Sequence, residues 1–219
     1  MSLRHVRAVI VNDARLHGRG IVMAQAGVVA FTWLASRMPR PQAALLGLVL
    51  NLNIVIALLW GDWLISREKL KGTFGWLRTT PIADGDLVTA KFLSTAICCT
   101  LMWTLTTAPF LSGYYADRPA EWIVTWLGLM TFAGLSVAMR WRFTQKLGLI
   151  APLLTVLLPL LLFTAVNRYH PETARTIDGI WDRASGRVAI GAAFAVALIL
   201  VYMSTRWWVE RSDTVSLLE

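Results

Sequence analysis

The sequence predicts an all-α integral membrane protein with six transmembrane helices, an N-terminal amphipathic interfacial helix, and a short cytoplasmic helix between spans two and three. Three observations predict this class. Mean hydropathy is +0.57, and hydrophobic residues make up 56% of the 219. Charged residues contribute only 16%, against about 25% in soluble domains. The apolar residues also gather into runs close to the ~20 residues that cross a hydrocarbon core. There the backbone finds no water and must bond to itself, so each run is expected to be helical.

In chain order, residues 3–17 alternate as a basic, moderately amphipathic helix. Leu3, Val6, Val9, Ile10 and Ala14 fall mostly on one side, with Arg4, His5, Asn12 and Arg15 opposite. Such a helix lies in the headgroup layer with its arginines outward, and residues 1–19 are read as this interfacial element. Asp13 and His17 interrupt its apolar face. Six spans follow at about residues 20–36, 43–65, 91–114, 122–139, 147–166 and 188–205. Pro152 and Pro159 remove backbone donors from the fifth and are expected to kink it. The outer loops are short, and Ile177 to Trp181 is expected to form a short interfacial turn or helix. Residues 1–219 read as one membrane domain, with no repeat and no separate soluble part. The N-terminus lacks a short apolar run ending in a small-residue cleavage site, so no cleaved signal peptide is expected.

The basic residues orient the spans. With the N-terminus cytoplasmic, fourteen of the 21 lysines and arginines fall inside. They are Arg4, Arg7, Arg15, Arg19, Arg67, Lys69, Lys71, Arg78, Lys91, Arg140, Arg142, Lys146, Arg206 and Arg211. Seven fall outside. The bias toward the inner side places both termini in the cytoplasm of a cell (inner or plasma) membrane. It also reads the formal charge of +8 as topology and contact with lipid headgroups, not as affinity for nucleic acid.

Several chemistries lack their residues. There is no phosphate-binding loop of the G-x-x-x-x-G-K-[ST] kind. Cys98 and Cys99 are adjacent, so their side chains leave a helix roughly 100° apart and cannot form an ordinary disulfide. No metal-ligand spacing occurs, and no histidine falls inside a span. Ser94, Ser112 and Ser136 have no visible base, which argues against a catalytic serine. Asp62 is the one acid inside a span, near its inner end, where Arg67 or Lys69 can pair with it. The expectation is a chain with no catalytic residue, no metal and no cofactor of its own.

Polar uncharged residues remain. Asn51 and Asn53 lie in the first half of span two, and Thr100, Thr104 and Thr107 repeat at i, i+4, i+7 on span three. They can line a substrate path, meet a second copy of the chain, or bond within their own and neighbouring helices.

The longest polar interruption is residues 66–91. Leu70, Phe74 and Leu77 share one helical face there, with Arg67, Lys69 and Lys71 as a charged rim. Thr79-Thr80-Pro81 ends the helix, because the residue before proline avoids the α region. Asp84 or Asp86 can cap the helix that follows. Gly72 costs about 1 kcal/mol inside a helix relative to alanine, which suits the close approach of another backbone.

This stretch resembles the signature of ABC-2 type exporter permeases, the membrane subunits of a class of ATP-driven transporters. The residues that carry the resemblance are Glu68, Gly72-Thr73, Leu77, Pro81-Ile82 and Lys91, in that order and spacing between spans two and three. The six spans, the amphipathic start and the cytoplasmic termini are similar as well. Leu70 stands where the family often has a second acid, and Ala83-Asp84-Gly85-Asp86 where it often has basic residues.

The resemblance implies that residues 66–84 form a coupling segment held by a separate cytoplasmic ABC ATPase. Its contacts would be Arg67, Glu68, Lys69, Leu70, Lys71, Gly72, Thr73, Phe74, Leu77 and Pro81. ATP and magnesium would bind that partner subunit, and the permease would pair with a second copy or a related permease. Heme-exporter permeases have similar size and spacing. A membrane scaffold or assembly factor that transports nothing is the reading from a different class.

Overall fold

The structure, a computed structural model, describes residues 3–37, 42–61, 64–65, 82–112, 114–142, 168–169 and 171–211. Every long element among them is a helix: α1 (Leu3–Ser36), α2 (Gln42–Gly61), α3 (Asp84–Leu111), α4 (Pro119–Arg142), α5 (Pro171–Asp182) and α6 (Ala184–Arg211). Three of these, α3, α4 and α6, are long and apolar enough to cross a membrane. The fifth expected span, with Pro152 and Pro159, lies outside the described residues.

The expected boundary between an interfacial helix and a first span is not present. Leu3 to Ser36 is one helix of 34 residues, about 51 Å long at 1.5 Å per residue. Gly18 and Gly20 fall near the expected break, but a helical glycine costs only about 1 kcal/mol. No proline stands nearby, so the helix continues. The third helix starts at Asp84, seven residues before the expected membrane span and beside the expected caps. Neither Asp84 nor Asp86 is its N-cap: Ala83 holds that position without a side-chain bond, and both acids fall in the first turn. There they favour the helix through its positive N-terminal dipole. Residues Ile177 to Trp181 belong to α5.

Side-chain contacts set the helix directions. Asp13 meets Lys91, Gln25 meets Cys98 and Trp33 meets Leu105, so α1 and α3 run parallel. Trp122 meets Thr107 and Trp126 meets Thr100, so α4 runs antiparallel to α3. Arg187 meets Glu121 and Phe194 meets Thr131, so α6 runs parallel to α4. The starts of α1 and α3 therefore share one end of the bundle with the ends of α4 and α6.

Small residues allow the close approaches. A Cβ on Gly134 would stand 2.9 Å from Leu198 and 3.3 Å from Phe92, and one on Gly191 would stand 3.2 Å from Val124. Packing without side-chain bulk is what holds helices together where lipid offers no hydrophobic contrast. Pro109 lies inside α3 and has no N–H, which leaves the Leu105 carbonyl without its usual donor. The Trp33 indole of α1 donates to that carbonyl at 3.2 Å.

Candidate functional site

The most tightly built polar site lies where α3 starts. Lys91 is fully buried and Asp13 is 3% exposed. The Lys91 ammonium donates to Asp13 Oδ1 at 2.5 Å, and the Ser94 hydroxyl donates to Asp13 Oδ2 at 2.9 Å. An unpaired charge in such a place is strongly disfavoured, so each member holds the other in position. The register follows from α3 itself: Lys91 and Ser94 are three residues apart and share a face. Asp13 comes from the face of α1 that buries Val6 and Val9.

Neighbouring contacts tie the same region to two helices. His5 Nδ1 of α1 lies 4.0 Å from Asp86 Oδ2. On the other side, the Thr89 hydroxyl and the Tyr202 hydroxyl of α6 are 2.8 Å apart. A Cβ on Gly85 would stand 2.4 Å from Glu210 Oε1, the carboxylate that accepts a bond from Arg206 Nε at 2.8 Å. The first two turns of α3 are thus held between α1 and the end of α6.

The cluster does not build a nucleophile. Ser94 has an acidic neighbour that sequence reasoning missed, but that carboxylate is already bound to the Lys91 ammonium. Sequence reasoning also took Asp13 as a flaw in an amphipathic face. Its place three and four residues beyond Ile10 and Val9 was the available signal that it is buried with them. Among the described residues, no group of three His, Cys, Asp or Glu side chains is placed to hold a metal ion.

The expected polar stripe on α3 is divided by its neighbours. Thr107 accepts a bond from the Trp122 indole at 2.8 Å, and Thr100 accepts one from Trp126 at 3.1 Å. Thr104 is exposed. Asn51 is exposed and donates to Gly47 of its own helix. Asn53 is buried, donates to Val49 at 2.8 Å, and reaches across to Thr106 at 3.1 Å. Two of the threonines therefore join α3 to α4, and Asn53 joins α2 to α3. Arg67, Glu68, Lys69, Leu70, Lys71, Gly72, Thr73, Phe74, Leu77 and Pro81 lie outside the described residues, as does Asp62.

At the opposite end of the bundle, Glu121 is buried and accepts a bond from Arg187 at 3.3 Å, with Arg118 at 3.7 Å. Tyr115, in the turn between α3 and α4, is buried beside it, and burial pushes its phenol well above the usual tyrosine range.

Comparison with known proteins finds no matching family model, no matching curated protein and no matching solved structure.

Proposed function

We propose that this chain is the membrane-spanning permease subunit of an ATP-driven exporter of the ABC-2 type. It works as a dimer with a second copy or a related permease, and a separate cytoplasmic ATPase drives it. One observation carries this reading: Glu68, Gly72-Thr73, Pro81-Ile82 and Lys91 hold the family spacing from the end of α2 into α3. Three further features support it. Helices α3, α4 and α6 have the length and apolarity of membrane spans. Helices α4 and α6 run parallel, which suits a further span between them, and the sequence of residues 147–166 is apolar enough for one. The segment before α3 leads directly into the buried Asp13–Lys91 pair, so a push on it reaches both α1 and α3.

On this reading, Leu70, Phe74 and Leu77 anchor the ATPase contact and Arg67, Lys69 and Lys71 form its rim. The test is purification of the tagged chain from its native membrane. An ABC ATPase is expected to co-purify with the wild type. The Leu70→Asp/Phe74→Asp double variant is expected to insert normally and to lose that ATPase. If no ATPase accompanies the wild-type chain, or if the double variant retains it, this reading fails.

A further inference from the structure

Beside the buried pair, α1 and α3 part to leave a cavity of about 260 Å³. Its polar wall groups are already engaged. Asp13 and Ser94 bond each other, and the Gln25 amide donates to the Cys98 carbonyl at 3.2 Å. What the cavity offers an occupant is its apolar wall, including Ile10, Val22, Ile97 and Leu101. Its rim reaches the apolar outer surface, where Val22 is 61% and Leu101 54% exposed. Among the described residues, no atom beyond Gly18's own stretch of helix lies within 4 Å of where a Cβ would stand, so that part of the wall faces open space.

The carboxylate in the cavity wall, Asp13, is matched by the Lys91 ammonium, and the exposed charges that flank the cavity on α1 are arginines. Arg7, Ile10, Ala14, Gly18, Val22 and Gln25 recur at three- and four-residue steps along one face of α1. Arg7 is exposed and stands about 16 Å from Gly18 along the helix. Arg15 is exposed and three residues before Gly18, a spacing that makes the two neighbours on the helix surface. An apolar slot with cations at the end nearer the start of α1 matches a molecule with an anionic head and a hydrocarbon tail.

We propose that this cleft binds one anionic phospholipid, with an acyl chain in the cavity beside Gly18 and the phosphate against Arg7 and Arg15. The inference rests on the chain being a membrane protein and does not depend on an ATPase partner. The lipid would fill the gap between α1 and α3 next to Asp13 and Lys91, and so brace that pair.

The test uses the full chain in phosphatidylcholine vesicles doped with phosphatidylglycerol or with phosphatidylcholine carrying a photoreactive acyl chain. The wild type is expected to label more strongly with the glycerol lipid, at residues of α1 and α3. Arg7→Gln/Arg15→Gln should lower phosphatidylglycerol labelling by roughly fivefold for each arginine removed and leave phosphatidylcholine labelling unchanged. Gly18→Leu should block both lipids. The fold tolerates it, because leucine is a better helix former than glycine and meets no atom there. Gly27→Leu, on the same helix and likewise unobstructed, should label as the wild type. Equal labelling by the two lipids in the wild type would overturn the proposal. So would wild-type labelling of Gly18→Leu, or equal losses in Gly18→Leu and Gly27→Leu.

Discussion

Lys91→Met takes the ammonium from the buried Asp13 carboxylate, and Asp13→Leu takes the carboxylate from the buried Lys91 ammonium. Each single change is expected to cost about 3–5 kcal/mol of stability, because breaking a buried pair costs far more than replacing it whole. The double variant Asp13→Leu/Lys91→Met removes both charges and is expected to unfold close to the wild type. Denaturant unfolding in detergent, followed by tryptophan fluorescence, checks this; a double variant as unstable as either single would refute it. Half of the pair was legible in the sequence. Lys91 stood out as the lysine that closes the spaced motif, whereas Asp13 looked like an error in an amphipathic pattern. The pattern shows which face a residue occupies, but its partner is set by tertiary contact across 78 positions. The same limit applies to Thr100 and Thr107, whose spacing was visible and whose indole partners on α4 were not.

Between elements, α1 and α3 hold one another through a bond that exists because of a proline. Trp33→Phe removes the donor to the Leu105 carbonyl and is expected to cost about 1 kcal/mol. In a Pro109→Ala background, residue 109 supplies its own N–H to that carbonyl, so Trp33→Phe should then cost less. A double-mutant cycle on unfolding free energies measures the difference, and additive effects would argue against the account. The approach of α3, α4 and α6 is tested at Gly134. Leucine there has to displace Leu198 and Phe92, and it is expected to destabilise by about 1–3 kcal/mol, as overpacked sites do. Helix type was legible throughout, because apolar runs of this length admit little else. Helix ends were less so. Glycines at 18 and 20 looked like a boundary, but nothing there costs enough to stop a helix. The start of α3 was nearly legible: Asp84 and Asp86, expected as caps, instead fall in its first turn, beside Arg206 and Glu210.

For the molecule as a whole, the helix directions gather one set of helix ends at each end of the bundle. The starts of α1 and α3 and the ends of α4 and α6 lie together, and most of the inner-side arginines belong to those ends. With Cys98 and Cys99 replaced by alanine, Asp117→Cys should react with a membrane-impermeant maleimide added to intact cells. Arg142→Cys should react only after the cells are opened. Labelling of both from the same side would contradict the arrangement. The long apolar helices α3, α4 and α6 were legible as apolar runs. The parallel pairing of α1 with α3 was not, since no local pattern records which helices become neighbours.

The distance along the chain between Asp13 and Lys91 also sets an order of events. Asp13 is made 78 residues before its partner, which at ~5–20 residues per second of synthesis is roughly 4–16 s. Until Lys91 emerges, the Asp13 carboxylate keeps its own water and has no ammonium to bury it. The turns of α1 around Asp13 are therefore seated only after the start of α3 has been made.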